Sequence, residues 1–303
     1  MCKQWQAAHP YVQPALSLSL MTVVVTWNIQ YGKGVDGVID LRRMVETVQK
    51  PGPVDILCLQ EVAVNFTEMG GGECVDQGAE IAAMLSGYEA VYAAAINLRA
   101  PDGSRRKFGN LILSRMPILQ AASHLLPRPN EAGVQHMQRG VAMAVVKTPR
   151  GPLRVLTTHF EYHSAKQRQA QADRLRALYA EAVANERYPT IAGPGPYQLH
   201  DAAIGTVICG DFNFEPTEPP YETITAPFGD GTEALRDAWS TRYPGKRHAP
   251  TCGVHDRKQW QQGAHARDFM FVSAGIASAL DSMTVDVETM ASDHQPVRAV
   301  FAD

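Results

Sequence analysis

Clustered cysteine is missing from this chain: its 303 residues hold five cysteines, Cys2, Cys58, Cys74, Cys209 and Cys252, an odd set with no C-x-x-C spacing. That pattern argues against both a disulfide framework and a structural zinc site. An excess of charge of one sign is missing too, since 28 Lys and Arg stand against 31 Asp and Glu, a net charge of −3. Without a broad positive field, any attraction for a polyanion has to be local. The longest apolar stretch, Leu16 to Trp27, is interrupted by Ser and Thr and falls short of the roughly 20 residues that cross a bilayer. No transmembrane helix is expected. The first residues hold one lysine, a proline on each side of Tyr11 and no small-residue cleavage site, a poor match to a signal peptide. A reducing cytoplasm is the expected compartment.

What is present is an ordinary globular composition, 45% hydrophobic and 19% charged. Met21 stands directly before Thr-Val-Val-Val-Thr-Trp-Asn, and residues 1–20 show no periodicity, so they read as a peripheral tail ahead of one domain over 21–303. Eight short β-rich runs end abruptly in polar residues: Thr22 to Asn28, Val54 to Glu61, Leu111 to Ser114, Val141 to Lys147, Leu153 to His159, Thr206 to Asn213, Phe269 to Ser273 and Val297 to Phe301. Most are apolar on successive residues, which means both faces of the sheet are covered. Helical patterns fit Leu41 to Gln49, Gln77 to Leu85 and Ser164 to Asn185, the last with an apolar stripe through Leu175, Leu178 and Ala182. Its Lys166, Arg168, Arg174 and Arg176 read as a solvated face, and Arg105-Arg-Lys107 as a solvated loop. The chain is mixed α/β, with no internal repeat and no low-complexity tract.

Several strand ends carry chemistry-bearing residues. Thr26-Trp-Asn28 delivers an amide, Leu57-Cys-Leu-Gln-Glu61 a carboxylate, and Val155-Leu-Thr-Thr-His159 an imidazole. In Gly210-Asp211-Phe-Asn213 the two polar residues are two apart, which puts both side chains on one side of an extended segment. Arg267-Asp268-Phe opens an aromatic strand, and Ser292-Asp293-His294 places Asp and His together just before the last one. Two Asn, one Glu, three Asp and two His form a hard, oxygen-rich donor set. Such a set suits Mg²⁺ or Mn²⁺, whereas zinc recruits more His or Cys. Attack of water on phosphorus is the chemistry that uses such a site.

Taken in order, Thr-Trp-Asn, Leu-Gln-Glu, Thr-His, Gly-Asp-Phe-Asn, Asp-Phe and Ser-Asp-His resemble the endonuclease/exonuclease/phosphatase superfamily, from Asn28 to His294. That superfamily includes pancreatic-type deoxyribonucleases, exonuclease-III-like repair enzymes, neutral sphingomyelinases and inositol polyphosphate phosphatases. The resemblance implies a four-layer α/β/β/α sandwich of two packed mixed sheets. It also implies metal ligation by Asn28, Glu61, Asp211 and Asp293, with Glu61 the principal ligand. Asp211 would orient or deprotonate the water, Asn213 hold water or phosphate, Asp268 fix His294, and His159 donate to a phosphate oxygen. Asn110 and Arg139 are further candidates for contact with substrate. His255, in the polar loop Thr251 to Asp256, reads as structural.

The expected activity is metal-dependent hydrolysis of a phosphoric diester or monoester whose phosphorylated substrate is a small molecule, a lipid headgroup or a nucleic acid. A DNA or RNA nuclease and a non-catalytic phosphate-binding domain are the alternatives. Where the inositol phosphatase relatives have Cys-Asp-Arg, this chain has Arg267-Asp268-Phe269, against phosphoinositide specificity. No obligate protein partner is evident.

Overall fold

The computed structural model describes residues 21–199 and 201–302. The expected tail over 1–20 and Cys2 lie outside them. In chain order the strands and α-helices are β1 (Met21–Asn28), α1 (Leu41–Gln49), β2 (Ile56–Val64), α2 (Gln77–Met84), β3 (Glu89–Arg99), β4 (Arg105–Ser114) and β5 (Ile118–Leu125). There follow β6 (Gly140–Thr148), β7 (Gly151–His159), α3 (Ala165–Arg187), β8 (Gly205–Asp211), α4 (Pro219–Thr225), β9 (Arg236–Asp237) and α5 (Ala238–Arg242). The chain closes with β10 (Asp268–Val272), α6 (Ala274–Ala277), β11 (Leu280–Val285) and β12 (Val297–Ala302).

Two six-stranded sheets result, in the orders β11-β12-β1-β2-β4-β3 and β5-β6-β7-β8-β10-β9. Each contains one parallel pair, β1 with β2 and β7 with β8, among antiparallel neighbours. A central core between the sheets gathers Val24, Ile56, Ile112, Val155, Val207 and Cys209. A second core packs Trp27, Leu57 and Leu113 against α1 and α2, and a third packs Leu156, Ile208 and Phe271 against α3 and α4. Alternate residues of one strand therefore feed different cores, as the pleat requires. The order helix, sheet, sheet, helix is the expected four-layer sandwich.

Local sequence explains the longer helices. Asp40, Asp76 and Ser164 each cap a helix by accepting from the backbone N–H three residues on. In α1, Leu41, Met44, Val45 and Val48 are buried at helical spacing. The structure corrects two expectations. Arg105-Arg-Lys107 is the start of β4, paired with the end of β3, rather than a loop. The basic residues of α3 are not simply solvated: Arg176 donates to the Ala226 carbonyl at 2.6 Å and covers the Phe228 ring, and Arg168 pairs with Glu218. Both fasten the chain around α4 to the helix. Among the described residues, Cys58, Cys74, Cys209 and Cys252 are free thiols, and no helix is long and apolar enough to cross a membrane.

Candidate active site

Strand register brings the polar strand ends to one edge. Asn28 lies opposite Gln60 across the parallel β1–β2 pair, and His159 opposite Asp211 across β7–β8. Asp268 opposes the same Asp211 in the antiparallel β8–β10 pair. Asp293 and His294 arrive on the turn before β12, which runs antiparallel to β1. Gln60, fully buried, then stitches the sheets beneath this edge by donating to Thr26 Oγ1 and Thr157 Oγ1 at 3.1 and 2.7 Å.

Glu61 is aimed by irregularity. The β2–β4 register shifts between Leu59 and Val62, and Glu61 sits in that bulge with φ of 59°. Bulges re-aim side chains, and a left-handed non-glycine residue stores strain that functional sites tolerate. Asn213 is likewise left-handed, at φ 53°. Gly210 meets a stricter demand: at φ 140°, a Cβ on it would lie 2.0 Å from the Thr158 carbonyl oxygen. Only glycine lets β8 lie this close to β7 and carry Asp211 up beside His159.

Asp211 is the centre of the cluster. Its Oδ2 accepts from Asn28 Nδ2 at 3.0 Å and stands 3.4 Å from His159 Nε2 and 3.7 Å from His294 Nε2. Its Oδ1 accepts from the Asn213 backbone N–H at 2.9 Å. Asn28 Nδ2 also donates to Glu61 Oε1 at 3.1 Å, so one amide bridges two carboxylates. His294 Nδ1 is 2.9 Å from Asp268 Oδ2, and Asp268 is held in turn by its backbone N–H donating to Thr251 Oγ1. Asp293 accepts from the Trp260 indole at 3.0 Å.

Burial and neighbours set the charges. Burial, then the Asp293 charge, push the Glu61 carboxyl up to about 7. Burial alone would raise Asp211, but His294 and then His159 pull its carboxyl below the usual range. Burial and the Arg139 charge push the His159 imidazole down to about 3, leaving it neutral. Burial also opposes the His294 imidazolium, yet Asp268, Asp211 and Asp293 hold its pKa well above the ordinary value.

The cluster floors a cleft of about 670 Å³ lined by Glu61, Arg139, His159, Asp211, Asn213, Asp293 and His294. An apolar wall of Phe66, Met69, Ile96, Leu98, Phe108 and Met137 forms part of the lining, to which Tyr162 and Trp260 also belong. Asn110 is not among the lining residues; its amide donates to the Gly140 carbonyl at 2.9 Å and ties β4 to the start of β6. Arg139 is buried rather than exposed. His255 hydrogen-bonds to the Val287 carbonyl, away from the cluster. A second cavity of about 560 Å³, beneath the end of α3, holds an Arg154–Glu186 ion pair and none of these residues. Trp260, Glu161 and the apolar wall escape a reading of the sequence. Only Glu161 carries a signal there, standing two residues after His159.

The donor chemistry fits a hard divalent cation. Glu61 and Asp293 face each other closely enough for one charge to hinder ionisation of the other, and Asn28 adds an amide beside them. Asp211, Asp268 and His294 also bring ligand atoms within 4.8 Å of one another. His294 is already committed to Asp268, so the Glu61 side of the cluster suits a cation better.

Two mixed sheets thus carry a buried cluster of carboxylate, amide and imidazole groups at one edge. The endonuclease/exonuclease/phosphatase family model matches residues 25–294, and the chain belongs to that family. Solved structures agree in fold. A family member from Bacteroides vulgatus is 18% identical, with a TM-score of 0.65 over 92% of this chain and 98% of its own. One from Beutenbergia cavernae is 22% identical, with a TM-score of 0.66 over 93% and 71%. A mannosyl-6-phosphatase from Bacteroides thetaiotaomicron is 17% identical, with a TM-score of 0.57 over 92% and 98%. A comparison with curated proteins gives no match.

Proposed function

We propose that the chain hydrolyses a phosphoric ester, diester or monoester, by in-line attack of water with Mg²⁺ or Mn²⁺ bound at Glu61, Asn28, Asp293 and Asp211. The carrying observation is Asp211 Oδ2, met at once by the Asn28 amide, His159 and His294. A carboxylate so placed accepts a proton from water while cationic and neutral donors surround it.

In this reading Asp211 orients the attacking water and receives its proton at Oδ2, and Asn213 fixes the carboxylate from the other side. His294, kept cationic by Asp268, offers Nε2–H to the charge that grows on the phosphoryl oxygens. His159, kept neutral, contributes a hydrogen bond without adding charge. Among the described residues, Arg139 supplies the one guanidinium that lines the cleft. When bound, the divalent cation neutralises phosphoryl oxygens and lowers the pKa of water. An apolar wall and a single guanidinium give little purchase on a polynucleotide backbone, which favours a compact ester over a nucleic acid.

The test is hydrolysis of bis-p-nitrophenyl phosphate, p-nitrophenyl phosphate and plasmid DNA, each with Mg²⁺, Mn²⁺ or EDTA. Chelator-sensitive release of p-nitrophenol is expected. Full activity in EDTA overturns the metal assignment, and inertness towards all three substrates overturns the hydrolytic reading.

A further inference from the structure

Arg139 presents an incomplete ion pair. It is 6% exposed, and its Nε donates to Glu161 Oε2 at 3.1 Å. Its Nη1 is buried and, among the described residues, has no hydrogen-bond partner. Buried guanidinium groups normally satisfy their donors, and carboxylates usually meet arginine with two parallel bonds. Here the carboxylate takes only the Nε side, and the residue that carries the orphan donor lines the catalytic cleft.

Glu161 itself is pinned on every side. The backbone N–H of Met137 donates to its Oε2 at 3.2 Å and that of His163 to its Oε1 at 3.0 Å. Its own backbone N–H donates to Gln171 Oε1, from α3, at 2.8 Å, and its carbonyl accepts from Arg168. The carboxylate is 1% exposed and is placed before any ligand arrives. The segment that presents His159 to the cluster therefore presents, two residues later, the anion that aims Arg139.

We infer that Glu161 is a positioning residue: it holds Arg139 by Nε, so that the rest of the guanidinium stays free for the phosphoryl group of a substrate in the cleft that Arg139 lines. The inference rests on the phosphoester reading of the cleft. Glu161 touches neither substrate nor the reacting atoms and acts through Arg139 alone.

The experiment is a double-mutant cycle on the full chain with Mg²⁺, reading binding of inorganic phosphate by calorimetry, kcat and KM on bis-p-nitrophenyl phosphate, and Tm. Losing a charge-assisted hydrogen bond, Arg139→Ala is expected to weaken phosphate roughly 10- to 100-fold. Glu161→Gln keeps the shape but places an N–H against one of three donors, and is expected to weaken phosphate roughly 10-fold and to raise KM more than it lowers kcat. The double variant should bind phosphate no worse than Arg139→Ala. Additive losses, wild-type phosphate binding in Glu161→Gln with only Tm lowered, or no phosphate binding by the wild type each overturn the inference. If Glu161→Gln fails to fold, Gln171→Ala removes the acceptor that holds the Glu161 backbone N–H, and unchanged phosphate binding there overturns it equally. A wild type that binds phosphate in this order yet hydrolyses no ester sinks the phosphoesterase reading and leaves the positioning role standing.

Discussion

Trp260 donates its indole N–H to Asp293 Oδ2 at 3.0 Å and sets its ring edge-on to His294, with 5.6 Å between ring centroids. One side chain thus braces a candidate metal ligand and the imidazole beside it. Partners that orient ligands from behind are worth 10- to 100-fold in metal affinity. Trp260→Phe keeps most of the ring but removes the donor, and is expected to weaken Mg²⁺ binding by roughly tenfold with little change in Tm. Calorimetric Mg²⁺ titration of both proteins checks it, and equal affinities would show that the indole only packs.

Glu61 is held protonation-prone by burial and by Asp293, a repulsion that a bound cation relieves. Glu61→Gln is expected to lower Mg²⁺ affinity by about 10-fold or more while the circular dichroism spectrum and Tm stay near wild type. A variant that binds Mg²⁺ as the wild type does would move the metal to other residues.

The His294–Asp268 contact of 2.9 Å links two groups that should act as one. His294→Ala is expected to lose roughly 10²- to 10⁴-fold in rate, the usual size of positioned acid–base catalysis. Asp268→Asn should lower turnover without unfolding the chain, and the double variant should be little worse than the worse single one. Steady-state kinetics on the four proteins decide it; strictly additive losses would mean the pair does not operate as a unit.

His159 gives a pH dependence of stability with a definite sign. Its imidazole titrates near 6.5 when exposed and at about 3 in the fold. Between those values the unfolded chain takes up a proton that the native protein does not, so stability falls as pH drops from 6.5 towards 3, by up to about 1.4 kcal/mol per pH unit. Glu161 adds to this in acid: Arg139 and two backbone N–H groups outweigh burial and hold its carboxyl below the usual range, a contribution lost as pH falls through its folded value. Urea unfolding at pH 7.0, 6.0 and 5.0 is expected to show a shallower acid slope for His159→Gln than for the wild type. Parallel slopes would refute the assignment of a neutral His159.

Gly210→Ala tests the approach of β8 to β7. The added methyl would meet the Thr158 carbonyl oxygen in a left-handed backbone, and neither strand can move without opening the sheet. A loss of about 2–4 kcal/mol is expected by urea denaturation, in the range of strain at special backbone positions. A loss below about 1 kcal/mol would show that the strands have room to separate.

The legibility of this chain follows its sheet order. The eight runs read as strands from sequence correspond to β1, β2, β4, β6, β7, β8, β10 and β12, all interior to the two sheets. The four strands that escaped that reading, β3, β5, β9 and β11, are the four sheet edges. An interior strand here is covered on both faces, so it becomes a continuous apolar run ending where the chain reaches water. An edge strand such as Ile118–Leu125 or Leu280–Val285 is half exposed and mixes Ala, Ser, Gln and Asp into its pattern, which resembles a loop until a neighbour pairs with it. The helices α1, α2 and α3 were legible from caps and spacing, because both signals are local.

The candidate site divides the same way. Asn28, Glu61, His159, Asp211, Asn213, Asp268, Asp293 and His294 are visible in sequence because each follows or opens a strand of the interior, where a polar residue interrupts an apolar run. Their convergence depends on register, on the bulge that turns Glu61 inward and on the close approach at Gly210, none of which a run of residue types specifies. Trp260, Glu161 and the apolar wall come from separate loops and strands, and the contact of Arg139 with Glu161 joins residues 22 apart in the chain. Residue type and local spacing decide which segments form and which side chains can do chemistry; long-range pairing decides which of them meet and what charge each one carries there.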